Sequence, residues 1–205
     1  MTDYKHTRNP GIAFNSDWLD SVEMNRSAIE RRCSTLTKRR SIKKDWQAAW
    51  LLKSLCCMDL TTLSSDDTQE RVRRLCAKAR QPLRPELIES LGVKALKPRV
   101  GAVCVYHDLI NRAKKQLNGM LPIAAVSTGF PAGLSSLETK KKEIKNSINE
   151  GADEIDIVIN RSYVLRKDWK NLYEEVRSYK EIAKTKKLKA ILGVGDLETL
   201  RNVGK

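Results

Sequence analysis

The sequence predicts an α/β fold: a partial TIM (β/α)8 barrel holding strands 1–5 of the eight, behind an N-terminal helical extension. Three observations predict it. From Leu55 onward, short apolar runs alternate with amphipathic helical segments, strand then helix, five times over. That order calls for parallel strands joined by right-handed crossovers. The first strand candidate runs into Thr61-Thr-Leu-Ser-Ser-Asp-Asp67, without the glycine-rich turn that marks an open, doubly wound nucleotide-binding sheet. Polar residues instead cluster near the ends of several different strands, which is the barrel habit.

The elements follow from pattern and caps. Residues 1–54 read as the helical extension and 55–205 as the barrel portion. In the extension, Ser27-x-x-Glu30 predicts a capping box ahead of Ile29, Cys33 and Leu36 at helical spacing. A second helix runs from about Asp45 to Cys57, with Trp46, Ala49, Trp50 and Leu52 as its apolar face. Strands are predicted at Met58–Leu63, Val100–Tyr106, Pro122–Ser127, Glu154–Asn160 and Leu188–Val194. Helices are predicted at Thr68–Ala79, from Pro85 to a stop at Gly92, at Asp108–Leu117, after Ser135-x-x-Glu138, at Asp168–Ala183, and from Asp196 onward.

Composition excludes several function classes. The net charge of +14 invites a nucleic-acid reading, but the excess is spread along the chain: residues 1–50 carry 10 Lys/Arg against 6 Asp/Glu, and residues 151–205 carry 12 against 9. The clusters Lys38–Arg40, Lys140–Lys142 and Lys184–Lys187 read as solvated helix faces, and 5% aromatic content is too little for a base-stacking platform. No nucleic-acid partner is therefore expected. No apolar run is long enough to cross a bilayer and no apolar h-region opens the chain, so neither a membrane partner nor a secretory signal is expected. Five cysteines, an odd number without C-x-x-C spacing, fit reduced thiols in a cytoplasmic protein. With only His6 and His107, a three-histidine zinc site cannot be built from this chain.

Strand alternation sorts the candidate chemical residues by face. In Glu154–Asn160, Ile155, Ile157 and Ile159 share one face and pack on helices. Glu154, Asp156, Val158 and Asn160 share the other, which points into the barrel. A carboxylate among apolar neighbours loses water and has a raised pKa unless a cation pairs with it. Asp156 therefore reads either as a proton shuttle or as half of a buried salt bridge. Asp59 shares a face with Thr61 and Leu63, and reads either as a catalytic acid or as a strand-end acid bonded to local backbone. Lys189 shares a face with Ile191 and Gly193, and either pairs with an inward acid or snorkels to the surface. Cys104, between Val103 and Val105, reads as a buried inert thiol.

Taken in order, MDLTTLSSDDT (58–68), AVCVY (102–106), VSTGFPAG (126–133), GADEIDIVINRS (151–162) and LKAILGVGDL (188–197) resemble the motifs of deoxyribose-phosphate aldolases. The segment KKDWQAAWLLK (43–53) is similar to the extension of the animal-type enzymes. The resemblance implies a (β/α)8 barrel and class I aldolase chemistry without metal or organic cofactor. The implied reaction is cleavage of 2-deoxyribose 5-phosphate, a small phosphorylated sugar, to acetaldehyde and glyceraldehyde 3-phosphate through a lysine Schiff base. By resemblance Asp156 matches the family's proton-transfer acid, Asp59 and Lys189 match supporting members of its polar network, and Thr61 and Cys104 match residues lining the substrate pocket.

Two departures stand out. His107 replaces the proline usual after the second strand's tyrosine, and Val194-Gly-Asp-Leu197 replaces a TGEL-like turn. The family's Schiff-base lysine lies on a sixth strand in a motif resembling FIKTSTG, and no such motif occurs among these 205 residues. The expectation is a chain truncated before strand 6, inactive by itself, with open edges at its first and fifth strands. The alternative expectation is a non-catalytic remnant or binding module that forms a homo-oligomer or pairs with a full-length subunit.

Overall fold

A computed structural model of the protein describes residues 11–39 and 42–205; His6 and Arg40 lie outside them. Five parallel strands form one sheet in the order β1-β2-β3-β4-β5: β1 (Asp59–Thr61), β2 (Ala102–Val105), β3 (Ile123–Ser127), β4 (Glu154–Val158) and β5 (Lys187–Ile191). A doubly wound sheet reverses its strand order partway. Here every strand lies beside its sequence neighbours, which is barrel order. The sheet is not closed: among the described residues β1 and β5 are its two edges.

Register carries the face assignment across the sheet. Thr61 pairs with Cys104, Cys104 with Ala124, Ala124 with Glu154 and Glu154 with Lys187. One row along, Val126 pairs with Asp156 and Asp156 with Lys189. The opposite face holds Val103, Val105, Ile123, Ala125, Ile155 and Ile157, all buried in the main core. That core is roofed by three helices between the strands: α4 (Gln69–Arg80), α6 (Ile110–Leu117) and α7 (Leu137–Glu150). They contribute Val72, Cys76 and Ala79, then Ile110, Ala113 and Leu117, then Ile144. A fourth, α9 (Trp169–Ala183), brings in Tyr179, and Ala183 is buried one turn further on. Burial of these side chains, ~1.5–3 kcal/mol for each Val, Leu or Ile, is the main force holding helices to sheet.

The helix starts show why these residues form these elements. Thr68 caps α4 by accepting from Arg71 N, and Asp168 caps α9 by accepting from Asn171 N. Asn118, in the left-handed conformation, closes α6. Pro85 opens the short α5 (Pro85–Ser90), and Gly92, at φ +63°, turns the chain after it.

Several expectations are corrected. The first long helix, α2 (Arg26–Leu36), follows α1 (Asp17–Asp20) and is capped by Asn25, not by Ser27. Asn25 accepts from Ala28 N, and Glu30 pairs with Arg26 one turn back instead of closing a capping box. Ser136, one residue beyond the expected Ser135, caps α7. In α3 (Lys44–Cys56), Trp46 and Trp50 are 75% and 57% exposed, while Ala48, Leu52 and Leu55 are half-buried, so the apolar face is rotated from the expected one. A short α8 (Arg161–Leu165), capped by Asn160, follows β4. The segment after β5 forms a 3-10 turn at Val194–Asp196 before α10 (Leu200–Gly204), which Thr199 caps.

Candidate functional site

The concave face of the sheet gathers the inward side chains of four strands. Lys189 is at the centre. Its ammonium donates to Asp59 Oδ2 and lies 3.1 Å from both Glu154 Oε2 and Asp156 Oδ1. The contact with Asp156 is a charge pair without an aligned hydrogen bond, since Oδ1 is buried and takes no donor. Glu154 has a second cation, Lys187, whose Nζ donates to Oε1 at 2.7 Å. The site thus sets two ammonium groups against three carboxylates on β1, β4 and β5.

Each charge responds to where it sits. Burial pushes the Asp156 carboxyl above its ordinary range, and the adjacent Lys189 ammonium only partly offsets that rise. Glu154 is also desolvated, yet hydrogen bonds from Lys187 and Lys189 hold it below its usual value. Burial pulls Lys189 down, but the bond to Asp59 and the charges of Asp156 and Glu154 outweigh it, and its pKa is raised. Two carboxyls two residues apart on one strand are therefore driven in opposite directions. The lowered one holds its charge more firmly, while the raised one gives up its proton less readily than an ordinary Asp.

Cys104 lies beside this cluster, its Sγ 3.7 Å from Asp156 Oδ2. Burial, reinforced by the Asp156 charge, pushes the thiol up to about 12, leaving it protonated and unreactive. It packs with Ala124 and Val126, and with the partly buried Leu63, Tyr106, Phe130 and Ile191, as the apolar floor of the concave face. Thr61 stays apart: its hydroxyl bonds locally to the carbonyl of Asp59 at 2.9 Å and does not join the ion pairs.

Of the candidate residues, Asp59, Asp156, Lys189 and Cys104 converge, and Thr61 lines the same face without touching the charge cluster. The pairing reading of Lys189 holds over the snorkelling one, and the local-backbone reading of Asp59 gives way to a pair across the sheet. Glu154 was placed on the inward face but given no role. The signal was its i, i+2 spacing to Asp156 opposite two lysines that are themselves i, i+2. Lys140 corrects the solvated-face reading of its cluster, since it is 2% exposed and bonds Glu175 at 2.8 Å. At the TGEL-like turn, Asp196 pairs with Arg161 at 3.2 Å. Among the described residues no His, Cys, Asp and Glu side chains converge in a metal-holding group, and no helix is long and apolar enough to cross a membrane.

Sequential parallel strands, helices on the convex side and ionisable residues on the concave side define the class: an α/β protein of the (β/α)-barrel type. The chain belongs to the DeoC/LacD family of aldolases, which it matches over residues 53–199. It is 42% identical to the deoxyribose-phosphate aldolase of Homo sapiens over 200 residues, covering 96% of this chain and 63% of that one. It is 43% identical to the Mus musculus deoxyribose-phosphate aldolase, covering 95% of this chain and 62% of that one. The chain thus spans somewhat under two thirds of the length of these relatives. In fold it resembles a candidate deoxyribose-phosphate aldolase of Coccidioides immitis (TM-score 0.64, 24% identity, 93% of this chain and 66% of that one). It also resembles the tetrameric deoxyribose phosphate aldolase of Aeropyrum pernix (TM-score 0.54, 22% identity, 70% of this chain and 54% of that one).

Proposed function

We propose that residues 1–205 supply the acid side of a class I aldolase site acting on 2-deoxy-D-ribose 5-phosphate. The observation that carries this reading is Asp156: a desolvated carboxyl with a raised pKa, facing inward from the middle of β4 and steadied by one ammonium. Retro-aldol cleavage turns a substrate hydroxyl into a carbonyl, so its proton must leave, and it leaves an electron pair on the neighbouring carbon, which must gain a proton. A carboxylate that takes up the first proton can return it to that carbon. A Schiff base to a lysine amine supplies the electron sink.

Lys189 does not fit that amine. Addition to a carbonyl requires the neutral form, and three carboxylates hold Lys189 protonated. Its role is to fix Asp59, Glu154 and Asp156 relative to one another. The amine is assigned to a strand that follows β5 in the family. Cys104 and Thr61 line the pocket for the sugar. Residues 55–205 form the catalytic portion, 1–54 an extension beside it, and the reaction belongs to the cytoplasm, where phosphorylated sugars are retained.

The test joins residues 1–205 to the segment beyond β5 of the human relative and measures cleavage of deoxyribose 5-phosphate. Turnover is expected, and Asp156→Asn should lower kcat by ~10²–10⁴, the usual contribution of a positioned acid–base group. An inactive chimaera that is folded, or one indifferent to Asp156→Asn, sinks the reading. Among the described residues β1 and β5 have unpaired edges, which favours a second reading, a module that pairs with a longer subunit or another partner. Co-purification of the 205-residue chain with a full-length family member, without gain of activity, would select it.

A further inference from the structure

After its ladder to β3 runs out, the C-terminal end of β4 is held by β5 and by side chains. The last β3–β4 pair is Ser127 with Ile157. Past it, the amides of Val158, the last residue of β4, and of Ile159 and Asn160, which follow it, find three different acceptors. Val158 N donates to Thr128 Oγ1 at 2.7 Å, and that hydroxyl in turn donates to Val158 O at 3.0 Å. Ile159 N donates to Ile191 O at 3.4 Å. Asn160 N donates to Glu175 Oε2 at 3.4 Å. Asn160 is also the cap of α8, accepting from Ser162 N at 3.1 Å and Ser162 Oγ at 2.7 Å.

Glu175 lies between the two helices over this strand end. It is 7% exposed, and its Oε1 accepts from Lys140 Nζ, itself 2% exposed, at 2.8 Å. The Tyr179 hydroxyl is fully buried, has no aligned partner, and sits close enough to Glu175 that its pKa is raised by burial and by that charge. Burying an ion pair between two helices does not need charges for stability, because apolar side chains of similar volume serve as well or better. What an apolar pair cannot do is accept from Asn160 N. Asp156, on β4, lies four residues before Asn160, and its carboxylate must meet Lys189 and Cys104 within a few tenths of an ångström.

We infer that Glu175, charge-balanced by Lys140, is a positioning residue: by accepting the Asn160 amide it fixes the end of β4 and so places Asp156 against Lys189 and Cys104. The inference rests on the proposed role of Asp156. Its test needs no turnover, so failure of the aldolase reading and failure of this one are told apart.

The test compares two double variants of the 205-residue chain. K140M/E175Q removes both charges but keeps an acceptor for Asn160 N, with the Tyr179 hydroxyl available to the new amide. K140M/E175L removes the acceptor as well and leaves an apolar pair. The readout is the alkylation rate of Cys104 by iodoacetamide at pH 8.5, followed by mass spectrometry. Cys76, fully buried on α4 and far along the chain from the pair, serves as internal control for global unfolding. With K140M/E175L, Cys104 should react about tenfold faster than in the wild type while Cys76 is unchanged, tenfold matching about one unit of thiol pKa. With K140M/E175Q, Cys104 should stay within about threefold of the wild type, since a carboxamide still accepts the hydrogen bond. The inference is overturned if the two variants behave alike, or if Cys104 and Cys76 accelerate together.

Discussion

Lys189, on the last strand of the sheet, donates to Asp59, on the first. The two residues are 130 apart in sequence and their strands are separated by three others, so the bond crosses the hollow of the sheet and does not run along it. Such a crossing is possible only because the sheet curls, bringing the concave faces of its edges toward each other. One ammonium therefore ties both edges to Glu154 and Asp156 on β4.

Lys189→Met removes the shared cation and leaves three carboxylates facing one another. Breaking a fully buried pair costs about 3–5 kcal/mol, but Lys189 is 38% exposed and solvent screens part of that, so a loss of about 1–3 kcal/mol is expected at pH 7. Urea unfolding followed by circular dichroism measures it. A change below about 0.5 kcal/mol, the ordinary scatter of surface substitutions, would show that the cluster does not hold the sheet together.

Asp156→Asn should make Cys104 more reactive. Burial is the larger cause of the raised thiol pKa, so the thiol will not become ordinary, but the Asp156 charge adds to it and the substitution removes that part. The alkylation rate of Cys104 at pH 8.5 is expected to rise by at least about tenfold, about one unit of thiol pKa, with Cys76 as control. An unchanged rate would mean that the 3.7 Å approach of Cys104 to Asp156 carries no electrostatic coupling.

The pH dependence of stability follows from the raised pKa of Asp156. A carboxyl raised on folding binds its proton more tightly in the native state than in the unfolded one. Its contribution is fully present below the unfolded value of 3.8 and is lost as pH rises through the folded value. The stability of the wild type relative to Asp156→Asn should therefore decline as pH is raised above about 4, the ordinary Asp value. Urea midpoints of both proteins across pH 4–8 give the difference directly, and a difference that grows with pH would reverse the assignment.

Thr128→Val keeps the volume of the side chain and deletes the hydroxyl that both accepts from Val158 N and donates to Val158 O. The buried amide is left without a partner, at a cost of about 1–3 kcal/mol. Thr128 sits at φ +63°, unfavourable for either β-branched residue, so that strain cancels in the comparison. Thermal unfolding measures the loss, and amide exchange at Val158 should quicken well before exchange at Val103.

Local pattern carried most of the fold. The alternation of Ile155 and Ile157 with Glu154 and Asp156 is set by the period of two in a strand, which alone sorts the core face from the inward face. Thr68, Asp168 and Asn118 marked helix ends because their side chains or backbones meet a need within four residues. By sequence alone, then, the chain determines five β/α units, their order, and which residues look inward. Partners were a different matter. Asp156 was open between shuttle and salt bridge, and Asp59 between a chemical role and a local bond, since nothing within a few residues distinguishes them. Lys140 was read as solvated because its neighbours Lys141 and Lys142 are lysines, yet only the docking of α9 brings Glu175 to it. The curl of the sheet decided the rest. It set Lys189 among three carboxylates from strands that are not all neighbours, because electrostatic pairing depends on distance in space, which the separation of residues along the chain does not specify.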